Sequence, residues 1–219
     1  MYKFRFFFFL LFLLLSYISF SQNDKVFIKP EKVLYKSTKQ GDLNLYFYRP
    51  LDFNKSKTYN CIIFFHGGGW NSGDYKQFER QSMYFASRGM IAISAEYRIK
   101  NKHGTTPIQA MEDAKSAIRF LRLNAKSFFI NPNRIAAAGG SAGGHLAAVT
   151  ANIDLFDNVN EDLGISSKPN LLVLYNPVID FGSRKWLWID NPSDASPVHN
   201  ISKGSPPTII LTGTKDKIV

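Results

Sequence analysis

Two glycine-rich stretches hold the residues whose types and spacing could do chemistry. The first, Gly139-Gly140-Ser141-Ala142-Gly143-Gly144, lies between a short apolar run and an apolar helical stretch. A nucleophilic serine needs its hydroxyl held out on a sharp strand-to-helix turn, where flanking side chains would collide. Gly139 and Gly143 relieve that crowding, and the helix N-terminus behind Ser141 turns free N–H groups toward developing negative charge. The second stretch, His66-Gly67-Gly68-Gly69-Trp70, follows the apolar residues 61–65. Successive glycines let backbone N–H groups face a substrate oxygen with no Cβ in the way. Together with the Ala142 amide they would make an oxyanion hole, in which one donor lowers a barrier by roughly 3–4 kcal/mol. Neither a G-x-x-x-x-G-K-[ST] nor a G-x-G-x-x-G pattern opening a helix is present, so a phosphate-binding turn is the poorer reading.

Positioning these stretches requires a sheet. Residues 32–36 and 43–48 read as strands pairing antiparallel around Gly41-Asp42, and residues 50–58 as a polar connection. Apolar runs at 61–65, 90–95, 134–138, 171–175 and 208–211 read as buried strands. Helical stretches alternate with them at 78–88, from Pro107 onward, and at 146–151. The helix from Pro107 is the clearest: Ile108, Met111, Ala114, Ala117, Ile118 and Leu121 fall on one face of a 3.6-residue period. Strands apolar on both faces, alternating with helices, imply an α/β fold: a mostly parallel sheet with helices on both faces. No repeat or linker divides residues 22–219, which read as one domain.

On these residues the chain resembles the α/β-hydrolase fold, in the esterase/lipase branch related to hormone-sensitive lipase and to bacterial acetyl-xylan and feruloyl esterases. Four segments carry the likeness: His66 to Trp70; Glu96-Tyr97-Arg98; residues 107–122 with Asp113; and Asn131-Pro132-Asn133-Arg134-Ile135 running into residues 139–147. The resemblance implies a carboxylic ester hydrolase working through an acyl-enzyme, with no metal or cofactor. Its expected substrates are small-molecule or carbohydrate esters. By the same resemblance Ser141 is the nucleophile, Gly68, Gly69 and Ala142 supply oxyanion N–H groups, and His66 steadies the loop.

The triad's acid is expected at Asp216, in Gly213-Thr214-Lys215-Asp216, after the run 208–211; Asp180 competes. The base should be a histidine downstream of the acid, and only Lys217, Ile218 and Val219 follow. His145 is expected to pack beside the serine turn, His103 to sit solvated in a polar loop, and His199 to lie in an irregular segment ahead of the acid. The resulting expectation is a domain cut short at its C-terminus, lacking the last strand, the closing helix and the catalytic histidine, and nearly inactive in this form. Two rival readings are an amide-cleaving hydrolase and a non-catalytic binding module on a hydrolase body. Trp186 and Trp188 could form a platform for a sugar or aromatic acyl group, or simply pack a cap onto the body.

Composition fits a globular chain: 219 residues, 45% hydrophobic and 20% charged, with one cysteine. Lys3 and Arg5, the apolar block at 6–15 and small Ser19 and Ser21 describe a signal peptide over residues 1–21. The block is shorter than a membrane span of ~20 residues, so no membrane association is expected after cleavage, and a secreted or periplasmic destination follows. Losing Lys3 and Arg5 lowers Lys+Arg from 27 to 25 against 17 acidic residues, a net of +8. Those basic residues are scattered rather than gathered on one element, which argues against a nucleic-acid partner. Cys61, inside an apolar strand, reads as a structural thiol.

Overall fold

The computed structural model describes residues 28–182 and 188–216; the signal-peptide expectation and Trp186 lie outside them. Strands β1 (Glu31–Thr38) and β2 (Gly41–Tyr48) form the expected antiparallel hairpin, and its tight turn places Gly41 at φ 129°. Strands β3 (Tyr59–Phe65), β4 (Ile91–Ala95), β5 (Ile130–Ser141), β6 (Leu171–Pro177) and β7 (Thr208–Leu211) run parallel to one another. The sheet order is β1-β2-β4-β3-β5-β6-β7, with β2 antiparallel to β4.

The helices are α1 (Glu79–Ser87), α2 (Lys100–His103), α3 (Pro107–Leu123), α4 (Ala125–Phe128) and α5 (Ala142–Asn152). From β3 the chain crosses to β4 on one side, then returns past β3 to β5 on the other. Right-handed crossovers in opposite directions put α1 and α3 on opposite faces. The alternation along β3 follows. Cys61, Ile63 and Phe65 pack with Met111, Ile118 and Leu146 of α3 and α5, while Ile62 and Phe64 pack with Phe78 and Ala86 on the α1 side. Cys61 is fully buried, and burial pushes its thiol pKa up.

Helix α3 begins at Pro107, and the Thr106 amide ahead of it donates to Gln109 Oε1 at 2.9 Å. Its buried face holds Met111, Ala114, Ala117, Ile118 and Leu121 of the expected stripe, while Ile108 is half-buried. Two boundaries differ from expectation. Strand β5 starts at Ile130 rather than 134, because its early residues join the sheet where Tyr59 lies opposite Ile130. Helix α5 starts at Ala142 rather than 146: the glycines that weaken a helix by propensity are needed there for close approach. Among the described residues no helix is long and apolar enough to cross a membrane.

Candidate active site

The direction of chain travel reverses between β3 and β5, and a crevice opens at the C-terminal ends of such adjacent strands. Phe65 lies opposite Gly139, so the glycine loop leaving β3 and the serine turn leaving β5 begin side by side. Ser141 sits between strand and helix at φ 52°, ψ −120°, a left-handed conformation for a residue with a side chain. Strain of this kind costs on the order of 1–3 kcal/mol and persists only where packing enforces it. The enforcement is visible at two glycines. A Cβ on Gly143 would overlap the carbonyl oxygens of Phe65 and His66, and one on Gly139 would overlap the Gly143 carbonyl. The first turn of α5 therefore passes directly against the end of β3.

Ser141 is half-buried, and its Oγ has no hydrogen-bond partner among the described residues. The glycine loop rests against it: a Cβ built on Gly67 would lie 3.5 Å from Ser141 Cβ and 3.0 Å from the Gly140 oxygen. The Gly68 and Gly69 amides, both on exposed residues, have no partner among the described residues. Ala142 is the first residue of α5, where an amide has no acceptor within the helix. The Gly67 amide is different, since it donates to Gln77 Oε1 from the 3-10 turn Tyr75–Phe78. Three glycines thus present two open amides, and Ala142 adds one more without an acceptor inside the helix.

His66 is 3% exposed, and its Nδ1 donates to the Gly67 carbonyl at 2.8 Å. Burial lowers its pKa, leaving the ring neutral and stacked on Tyr97. That geometry suits loop support. Asp216 follows β7 and accepts a hydrogen bond from Asn176 Nδ2. Asn176 precedes Pro177, which lies opposite Ser141, so Asp216 stands at the same end of the sheet as the serine. Asp180, the competitor, is 47% exposed, accepts from the Gly182 amide at 2.8 Å and faces His199 Nε2 at 3.8 Å.

No histidine hydrogen-bonds to Ser141. His145, fully buried on α5, uses Nε2 to bond the Ala195 carbonyl at 2.8 Å and packs edge-on against Trp70 and Phe181, beside the serine turn as expected. His199 Nδ1 meets Ser193 Oγ at 3.1 Å. His103 departs from expectation. It is half-buried on α2, where its Nδ1 accepts from the Ile99 amide at 2.9 Å and closes the short helix. Trp188 packs edge-on against Phe181, with ring centres 5.4 Å apart, in keeping with a cap packed onto the body. Gln77 was invisible to sequence reasoning, because a lone glutamine in a polar stretch carries no pattern.

The chain matches the BD-FAE family over residues 45–185. Bovine (Bos taurus) arylacetamide deacetylase is 33% identical over 148 residues, covering 65% of this chain and 36% of that protein. Acetylxylan esterase of Xylanibacter ruminicola is 28% identical over 135 residues, 59% of this chain and 25% of that one. The chain spans about a third of the length of the curated relatives it matches. Among solved structures, Thermogutta terrifontis esterase 2 phosphorylated by paraoxon superposes with a TM-score of 0.83 at 43% identity, covering 87% of this chain and 73% of that one. The family match spans well over half of the chain and includes both glycine-rich stretches, and the sheet order agrees with it: this chain belongs to the BD-FAE family and has the α/β-hydrolase fold.

Proposed function

We propose that this chain is the body of an exported serine hydrolase that cleaves small carboxylic esters, acylated carbohydrates among them. The observation that supports the reading is the Ser141 turn at positive φ with the glycine loop resting against it at Gly67, next to Gly68 and Gly69 amides that have no partner among the described residues. Ser141 Oγ attacks the ester carbonyl carbon. The new C–O bond pushes charge onto the carbonyl oxygen, where the three amides receive it. The hydroxyl proton passes to an imidazole oriented by Asp216 and then to the departing alcohol oxygen as the C–O bond breaks. Water cleaves the acyl-enzyme by the same steps in reverse roles. His66, His103, His145 and His199 each bond to other groups, so this reading assigns the imidazole to none of them. The apolar block behind Lys3 and Arg5 supports export to the periplasm or medium.

A fluorophosphonate probe tests the proposal, applied to the chain as it stands and to a form extended through its natural downstream sequence. Labelling in the extended form, lost in Ser141→Ala, supports the reading. Absence of labelling in both forms overturns it in favour of a binding module. Amide cleavage is the second reading, favoured by the likeness to a protein named arylacetamide deacetylase. Comparing turnover of 4-nitrophenyl acetate with that of 4-nitroacetanilide separates the two.

A further inference from the structure

The mechanism above gives Glu96-Tyr97-Arg98 no task, although it is one of the motifs that mark the chain. The Tyr97 side chain is 1% exposed, and its hydroxyl donates to the His66 carbonyl at 2.7 Å. Its ring lies on the His66 imidazole, centres 4.2 Å apart and planes 19° from parallel. That carbonyl belongs to the His66–Gly67 peptide, whose N–H, on Gly67, donates to Gln77 Oε1. A peptide unit is planar and trans, so its C=O and N–H point in opposite directions. Bonds from Tyr97 on one side and Gln77 on the other fix its rotation.

The next two peptides carry the amides assigned to the oxyanion. In the Gly67–Gly68 unit the carbonyl accepts from His66 Nδ1, which aims the Gly68 N–H away from the imidazole. In the Gly68–Gly69 unit the carbonyl accepts from the Asn71 and Ser72 amides at 3.1 Å each, which aims the Gly69 N–H away from those two amides. Each open amide is thus the far end of a peptide whose oxygen is held. Glycines without this bracing would sample many orientations, and a donor that must first reorient contributes little to catalysis.

The bracing is itself anchored. The Arg98 amide and Nε donate to Asp113 Oδ2 at 2.9 and 2.8 Å, and Nη2 donates to Oδ1 at 2.7 Å, joining this segment to α3. Past the glycines, the Lys100 and Asn101 amides donate to the Trp70 and Asn71 carbonyls at 2.9 and 3.0 Å. The glycine loop hangs between two clamps made by one segment.

We infer that Tyr97 and Gln77 are positioning residues for the oxyanion hole, setting the direction of the Gly68 and Gly69 amides through the His66–Gly67 peptide. The inference rests on the esterase reading of Ser141. Tyr97→Phe in the full-length enzyme keeps the ring and deletes the hydroxyl. The expected result is a fall in kcat of about 10- to 100-fold with KM held within about twofold. Inhibition by a trifluoromethyl ketone, whose serine adduct carries an oxyanion, should weaken by the same factor as kcat/KM. Gln77→Met should behave like Tyr97→Phe, while Gln77→Glu, which keeps an acceptor oxygen, should restore turnover. Amide 1H–15N signals of Gly68 and Gly69 give a readout independent of turnover: they should shift in Tyr97→Phe while those of Gly41, Gly89 and Gly104 stay. Unchanged kcat, or unmoved Gly68 and Gly69 signals, overturns the inference. A wild-type enzyme without ester turnover overturns the esterase reading instead, and the glycine signals still decide the positioning role.

Discussion

Ser141 and its flanking glycines are bound by a steric requirement that acts over a few residues and shows in their spacing. A serine at φ 52° needs neighbours without side chains, and Gly139 and Gly143 fill the positions where a Cβ would strike backbone. Gln77 and the Tyr97 hydroxyl were not legible in the same way, since their partners lie 10 and 31 residues away. The choice between Asp216 and Asp180 also belongs to this scale. Asp216 is tied to Asn176 beside the serine's strand neighbour, whereas Asp180 is spent on a surface turn and His199. Under the proposed esterase reading, Asp216→Asn should lower kcat by about 10⁴-fold through loss of imidazole orientation, and Asp180→Asn should leave it within about twofold. Steady-state kinetics of the pair checks the assignment.

At the scale of elements, hydrophobic periodicity found α3 and the strands but not what lies over them. Asp113 and Lys115 on α3 are buried, although a helical-wheel reading puts charged residues toward water. They are covered because Arg98 and Lys36 reach Asp113 from β4's exit and from β1, while Lys115 bonds the Ile153 and Leu155 carbonyls past α5. Helix α2 went unseen because it has no apolar face; attachments at its two ends shape it.

The segment after β6 docks on α5 through Phe181 and the Ala195 carbonyl, which both meet His145, while Trp188 packs on Phe181. Burial lowers the pKa of His145 from 6.5 to about 4, and nothing among the described residues accepts a hydrogen bond from its Nδ1. The unfolded chain binds that proton below pH 6.5 while the folded chain refuses it until about 4. Stability should therefore be full above pH 7 and decline on acidification, by on the order of 3 kcal/mol from this group at pH 4. Urea unfolding measured across this range should show that slope, and His145→Gln should flatten it.

For the whole molecule, alternating strands and helices sufficed to read a mostly parallel sheet covered on both faces. Strand order was not legible, since it depends on which edge each crossover takes. Within the described residues β7 ends the sheet, with Ile209, Ile210 and Leu211 at 52, 50 and 48% exposure. Beside it runs an apolar groove of about 410 Å³ that includes Leu172, Leu174, Val198 and Ile201. Open strand edges flanked by apolar surface invite pairing with other chains. The 219-residue chain on its own should self-associate as its concentration rises, and Ile210→Lys should suppress this; light scattering checks both.

The lone cysteine turns the packing of β3 into a gauge. Sealed in the interior and held protonated, Cys61 cannot meet an alkylating reagent until the strands around it part. The speed of its modification in a native sample would therefore count excursions of the entire hydrophobic layer, with no engineered label.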